Sequence, residues 1–226
     1  MYEIHHSEKD GYIITSFPVG DFASNAVIVY KKDSKECIIF DPGFHHEPVL
    51  DFIKANSLTA KKIIHTHGHF DHIAASPEIK RQTGATLHLH KNDLHLYTSM
   101  PEHASMFGLV INTKIEKIDD VFSEGVEYGF GNNHDGPVFK CIHTPGHSLG
   151  SCSFYTEFFQ KPLVICGDTL FQGSIGRTDL PDGDFNTIIE SIKKKLFTLP
   201  DETDVITGHG PTTSISQEKL HNPFVK

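Results

Sequence analysis

The chain has no tryptophan, only 3 methionines and only 4 cysteines among its 226 residues. Cys37, Cys141, Cys152 and Cys166 each lie in an apolar, strand-like stretch, and no two share a C-x-x-C spacing. That excludes motifs built on that spacing and leaves buried thiols in a reducing compartment as the expectation. No apolar run approaches the length of a membrane span. The first residues, Met1-Tyr2-Glu3-Ile4-His5-His6, offer neither a basic n-region nor an apolar h-region, so no secretory signal is expected. No extended Lys/Arg run is present and the formal net charge is -9, which excludes an electrostatic footprint for nucleic acid. The acidity itself reads as solubility. A soluble, cytoplasmic protein with neither a nucleic-acid nor a membrane partner is expected.

What the chain does have is histidine, 17 of them, beside 17 phenylalanines as the main aromatic core material. The hydrophobic fraction of 38% supports a sizeable core, and no linker, low-complexity segment or long charge run divides the sequence. One layered domain over residues 1–226 is expected, of α/β class. Strands are predicted over 12–17, 25–31, 37–40, 62–66 and 86–90 in the first half. In the second half they are predicted over 125–130, 137–143, 152–155, 163–166 and 204–207, with a turn at 131–136. Pro48 opens a helix with Val49, Leu50, Phe52 and Ile53 on its apolar face. Ser76-Pro77 opens another that Gly84 stops. Residues 92–108 look helical but broken by Pro101. Asp184 caps a helix carrying Phe185, Ile188, Ile189, Ile192 and Leu196, ended by Pro200.

The strongest local signal is Thr66-His67-Gly68-His69-Phe70-Asp71-His72, at the end of a predicted strand. Residues two apart in an extended segment point the same way, so His67 and His69 can converge on one point. Asp71 and His72, after the chain turns, can face a second. Such a concentration of imidazole and carboxylate suits Zn²⁺ or another borderline metal. Three more pieces share the placement. Pro145-Gly146-His147-Ser148, Gly167-Asp168-Thr169 and Gly208-His209-Gly210 each put a possible ligand beside glycine just past a strand. Asp41-Pro42-Gly43 sits likewise after 37–40. Strand ends along one edge are where α/β proteins build their sites.

With these motifs in place the sequence resembles the metallo-β-lactamase-fold superfamily, over most of the chain from Asp41 to His209. The resemblance implies an αββα sandwich, two mixed β-sheets flanked by helices. It implies two divalent metal ions, with Zn²⁺ favoured and Fe or Mn²⁺ also accepting the set. His67, His69 and His147 would hold the first metal, and Asp71, His72 and His209 the second, with Asp168 bridging both. Asp41 would orient a ligand imidazole. Gly167-Asp168-Thr169-Leu170-Phe171 and Gly173-Ser174-Ile175-Gly176-Arg177-Thr178-Asp179 are similar to the short, single-domain members of the glyoxalase II-like branch. Longer members add a C-terminal helical region that contacts glutathione, and here only a short tail follows His209.

The activity this implies is hydrolysis of an S-lactoylglutathione-type hydroxyacyl thioester by hydroxide generated between the metals, with Asp71 and Asp168 as the catalytic carboxylates. Arg177 is open to two readings: a binder of a substrate carboxylate, or an ion pair with Asp179 or Asp184. His88 and His90 read as a strand face, His65 and His143 as packed strand histidines. His5, His6, His45, His46, His95, His103, His134 and His221 read as surface or loop residues. The rival readings are a mononuclear-iron persulfide dioxygenase, disfavoured by the retained His69, and a non-catalytic binding module of the same fold. A β-lactamase is disfavoured because its best-known branches carry Cys at the position of Asp168.

Overall fold

Strand periodicity sorts the apolar residues into three layers of packing. The computed structural model describes residues 5–131 and 136–226. Its first sheet runs in the order β1 (His5–Lys9), β2 (Tyr12–Val19), β3 (Ser24–Lys31), β4 (Glu36–Phe40), β5 (Thr59–Ile64), β6 (Thr86–His90) and β7 (Asp120–Phe122). It is antiparallel from β1 to β4 and parallel from β4 to β7. The second sheet is built from β8 (Glu127–Tyr128), β9 (Phe139–His143), β10 (Cys152–Thr156) and β11 (Leu163–Gly167). A small hairpin, β12 (Leu170–Phe171) with β13 (Ser174–Ile175), stands apart from it, and β14 (Asp204–Thr207) and β15 (Thr213–Ser214) complete it in the order β15-β14-β11-β10-β9-β8.

Alternate residues of the strands face opposite sides. Ile14, Val27, Val29, Ile38, Phe40 and Ile64 of the first sheet meet Phe139, Phe154, Leu163, Ile165 and Ile206 of the second in one buried cluster. Phe40 stands at its centre, with ring centroids 5.1 Å from Phe139 and 5.2 Å from Phe154. The intervening residues, Ile28, Ile39, Ile63, Leu87 and Leu89, face outward. They pack on α1 (Glu47–Ala55), α2 (Phe70–Ile73), α3 (Ser76–Thr83), α4 (Leu94–Thr98) and α5 (Met100–Ser105). Val164, Cys166 and Val205 do the same for α6 (Phe185–Ser191), its π-helical continuation through Leu196, and α7 (Ile215–His221). Helix, sheet, sheet, helix is therefore the layer order, the sandwich the sequence led us to expect. All four cysteines are buried and free, and burial pushes the Cys37 and Cys166 thiols up to about 12.

Several elements differ from the sequence expectation. The strand expected over 62–66 starts earlier and stops at Ile64, and that expected over 125–130 shrinks to Glu127–Tyr128. Residues 92–108 form a 3₁₀ turn and two helices that divide at Ser99, with Pro101 in the first turn of the second, where it lacks no needed N–H. The tail after His209 carries α7, capped by the Ser214 hydroxyl accepting from the Gln217 N–H at 3.2 Å. His5 and His6, expected as surface or loop residues, lie in the edge strand β1, His6 exposed and His5 half-buried. The turn expected at 131–136, with His134, falls mainly on residues 132–135, outside the described residues. Among the described residues no helix is long and apolar enough to cross a membrane.

Two β-strand directions decide where the functional loops emerge. β4 and β5 run parallel, as do β11 and β14, and β9 shares their direction because it is two antiparallel steps from β11. The C-terminal ends of these strands thus gather on one edge of the sandwich. Two backbone bonds tie the sheets together there: Cys152 N–H to the Thr66 carbonyl and Asn25 N–H to the Gly208 carbonyl, both 2.7 Å. Truncating the residue at the centre of the inter-sheet core should therefore be costly. Phe40→Ala is expected to lower unfolding free energy by about 3–5 kcal/mol, read from the midpoint shift in urea denaturation.

Candidate metal centre

The loop after β5 bends at Thr66 and His67, and His69, extended, is the residue preceding α2. Asp71 and His72 lie in the first turn of that short helix. His147 comes from the loop after β9, Asp168 directly follows β11, and His209 lies two residues past β14. Possible donor atoms of His67, His69 and His147 lie within 4.8 Å of one another, and so do those of Asp71, His72 and His209. The Asp168 carboxylate reaches both groups. Its Oδ2 is 3.4 Å from His147 Nε2 and 3.5 Å from His209 Nε2, and its Oδ1 is 3.4 Å from His72 Nε2. All seven residues that the sequence singled out are thus brought to one place.

Asp41, His67 and His72 make a third close group, but the Asp41 carboxylate is already engaged away from the others. Its Oδ1 accepts the Thr66 N–H at 2.8 Å. Its Oδ2 accepts the Thr66 hydroxyl at 2.5 Å and lies 3.2 Å from His72 Nδ1. These bonds offset the strain of Asp41 in the left-handed region, at φ 46°. Asp41 therefore orients its neighbours.

The same device recurs around the cluster. Because the Thr66 hydroxyl donates to Asp41, it accepts from His67 Nδ1, 3.0 Å away. His147 Nδ1–H donates to the Arg177 carbonyl at 2.8 Å, and His209 Nδ1–H to the Phe22 carbonyl at 3.0 Å. With Nδ1 occupied as donor, each ring turns its Nε2 inward. The His67 Nε2 so presented is buried and has no hydrogen-bond partner among the described residues, and the same is true of Asp168 Oδ1. His69 Nδ1 lies 2.8 Å from His147 Nε2, and His72 Nε2 lies 3.1 Å from His209 Nε2. Ring nitrogens this close hold either a shared proton or a cation between them. An orphaned buried nitrogen, an orphaned carboxylate oxygen and converging ring nitrogens fit bound divalent cations.

Electrostatics agree. Burial pushes the His67 imidazole well below its ordinary value and His69 down to about 3, which keeps both as neutral donors. Burial also disfavours charge at His72, but the Asp168 and Asp71 carboxylates outweigh it and hold its pKa well above normal. Hydrogen bonds to Asp168 and Asp71 likewise raise His209 to about 9 against its burial. Burial alone would raise Asp71 and Asp168, but His72 and His209 reverse that and lower both. The two carboxylates are therefore ionised and draw positive charge into the cluster.

Two packed sheets with a His/Asp cluster on their shared edge define a metal-dependent hydrolase. The model of the family described as "Metallo-beta-lactamase superfamily" matches residues 19–209, and the chain belongs to that superfamily. It is 38% identical over 213 residues to the hydroxyacylglutathione hydrolase GloC of Haemophilus influenzae, covering 94% of this chain and 97% of the relative. Among solved structures, BLEG-1, titled a B3 metallo-β-lactamase, superposes with TM-score 0.83 at 36% identity, covering 94% of this chain and 99% of that one. TTHA1623 in a di-iron-bound form gives 0.79 at 34% identity, covering 92% of this chain and 98% of that one. Divalent-metal binding follows from the family and the clusters, and the di-iron neighbour leaves zinc as one option for the metal.

The described histidines that were set aside stay outside the cluster. His65 is buried between the His88 carbonyl, 2.7 Å from its Nδ1, and the Ser76 hydroxyl, 2.6 Å from its Nε2. His88 lies 3.0 Å from Asp120 and His90 stacks on the half-buried His143 at 4.5 Å. His103, expected on the surface, lines the cleft over the cluster. Of the two readings of Arg177, the structure displays the ion pair: its guanidinium grips Asp179 through two 2.8 Å bonds, while Asp184 accepts from the Thr187 N–H. The contribution of Arg177 to the cluster is its main-chain carbonyl.

Asp93 escaped the sequence reading. It is fully buried, and its carboxylate accepts the Gly68 N–H at 2.8 Å, the Gly150 N–H at 2.5 Å and the Ser148 hydroxyl at 2.7 Å. It clamps the His67–His69 segment to the His147 loop. The one available signal was an acid at the start of a helical stretch, which looks like a cap.

Four substitutions separate these roles. Elemental analysis of purified protein should find less bound metal in His67→Ala and a wild-type level in His88→Ala. Asp41→Asn, which keeps the ligands but misdirects His72, is expected to weaken metal affinity about 10–100-fold in a chelator competition titration. Asp93→Ala leaves buried donors unpaired and should cost about 2–4 kcal/mol in urea denaturation.

Proposed function

We propose that the protein is a thioester hydrolase acting on small-molecule hydroxyacyl thioesters, with S-lactoylglutathione as the reference substrate. The observation that carries this reading is the complete donor set joined through Asp168 and opening onto a cleft. His67, His69 and His147 would hold one metal, Asp71, His72 and His209 another, and Asp168 both. Bound there, divalent cations supply Lewis acidity and a water of lowered pKa. The relative named hydroxyacylglutathione hydrolase supports the substrate class.

The chain's own residues do the rest by positioning. The Nδ1–H bonds of His67, His147 and His209 fix the ring planes, so the cluster needs little rearrangement during turnover. Asp71 and Asp168, ionised and desolvated, set a negative field that a cation is needed to balance. A thioester suits such a site because a thiolate leaves without a strong general acid. Asp168, where β-lactamases of the best-known branches carry Cys, favours the thioesterase over the β-lactamase reading. The retained His69 favours it over a persulfide dioxygenase.

A panel of substrates tests this. Metal-loaded protein is expected to hydrolyse S-lactoylglutathione, to lose that activity on chelation and to recover it when divalent metal is restored. Activity on a chromogenic cephalosporin with none on any acyl-glutathione or acyl-CoA would replace the proposal with a β-lactamase. Oxygen uptake with glutathione persulfide would replace it with a dioxygenase.

A further inference from the structure

The cleft over the cluster holds about 670 Å³, far more room than a lactoyl group fills. Its composition is uneven. One wall is a row of aromatic rings, with Phe22 edge-on to Phe70 at 5.3 Å and Phe70 against Phe107 at 5.3 Å. Phe70 lies between His69 and Asp71, so this wall begins at the cluster itself. Met106 continues it to the rim, where Met106 is 77% and Phe107 48% exposed. Ile175 and Leu180 add further apolar lining. Apolar side chains left in water at the mouth of a cleft mark a surface that a ligand covers.

The polar complement is small. Among the described residues lining the cleft, Arg177 is the only Lys or Arg, and its guanidinium is already committed to Asp179 through two hydrogen bonds. Glutathione carries two carboxylates and an ammonium at neutral pH, and a site that reads it would offer a charged partner to each. The cleft instead offers hydrocarbon and aromatic surface leading outward from the reacting edge of the cluster.

We propose that the apolar wall of Phe22, Phe70, Met106 and Phe107 is an acyl-chain site: the protein selects thioesters by an extended apolar acyl group and leaves the carrier thiol largely unread. This rests on the thioesterase reading and shifts its preferred acyl group from lactoyl to longer apolar chains. The acyl carbon skeleton lies along the ring row, and the polar part of the carrier stays in water beyond the rim. Each added methylene then transfers from water to the wall until the chain passes Met106.

Non-hydrolysable thioethers separate binding from chemistry. Calorimetric titration of the protein with S-methyl-, S-butyl-, S-hexyl- and S-octyl-glutathione should show affinity rising about fourfold per methylene, with S-octyl-coenzyme A binding within a few-fold of S-octyl-glutathione. Met106→Ser, an exposed position where the fold is not at stake, should flatten the slope for the longer chains, as should Phe107→Ser. In parallel, kcat/KM of the metal-loaded enzyme should climb from lactoyl- to octanoyl-glutathione. Affinity that ignores chain length, or that depends on glutathione whatever the alkyl group, overturns the acyl site even if S-lactoylglutathione is hydrolysed. Chain-length-dependent binding with no thioester cleaved keeps the apolar site and removes the thioesterase reading on which the substrate assignment rests.

Discussion

An imidazole has two nitrogens, and what is done with one decides where the other points. At His67, His147 and His209 the Nδ1 proton is spent on a protein acceptor, and at His72 the Nδ1 faces the Asp41 carboxylate. The Nε2 atoms therefore converge, with each ring held by its bond at Nδ1. Much of the surrounding structure is arranged to supply those acceptors. Asp41 adopts a left-handed backbone to reach Thr66 and His72, and Thr66 passes the constraint on to His67. The carbonyls of Phe22 and Arg177 come from two different loops, after β2 and after β13, so those loops are part of the centre although their side chains are not ligands.

The sandwich makes this possible because parallel strands deliver their C-terminal ends to a common edge. β4 and β5 bring Asp41 and the His67–His72 segment from one sheet, and β9, β11 and β14 bring His147, Asp168 and His209 from the other. Neither sheet holds a full donor set alone. Phe40 and its partners, by holding the two sheets face to face, set the spacing between the two halves of the cluster. Asp93 repeats that function locally, tying the His67 loop to the His147 loop with a carboxylate that is buried yet fully hydrogen-bonded. Core packing and site geometry are in this sense one problem.

How much of this can be read in a sequence follows from where the information is stored. The donors are side chains with distinctive chemistry at strand ends, so His67, His69, Asp71, His72, His147, Asp168 and His209 stand out, as does Asp41. Runs of Ile, Val, Phe and Tyr in β2 to β4 and helical spacing from Phe185 to Leu196 similarly announce the layers. The acceptors that aim the rings are mostly backbone carbonyls, and every residue has one. Nothing about Phe22 or Arg177 in the sequence marks its carbonyl as special, and the guanidinium of Arg177 draws attention away from it. Asp93 is invisible for a related reason: its three partners are brought to it only by tertiary structure. Short edge elements such as β7 and β8 carry too few residues for a pattern, so pairing with β6 and β9 defines them.

The close packing of main chain around Asp168 has a consequence for access. A Cβ built at Gly208 would lie 1.9 Å from Asp168 Oδ1, and one at Gly176 would lie 1.7 Å from the Asp168 carbonyl oxygen. Any side chain at either position would displace the aspartate, so backbone itself walls it in on those sides. The carboxylate faces the histidines and the cleft, whose lining includes Phe22, Phe70 and Phe107. A substrate that enters there sheds water from whatever part of it lies on those rings. The arrangement that crowds glycine against the bridging carboxylate therefore also gives the apolar wall its leverage over what reaches the reacting edge.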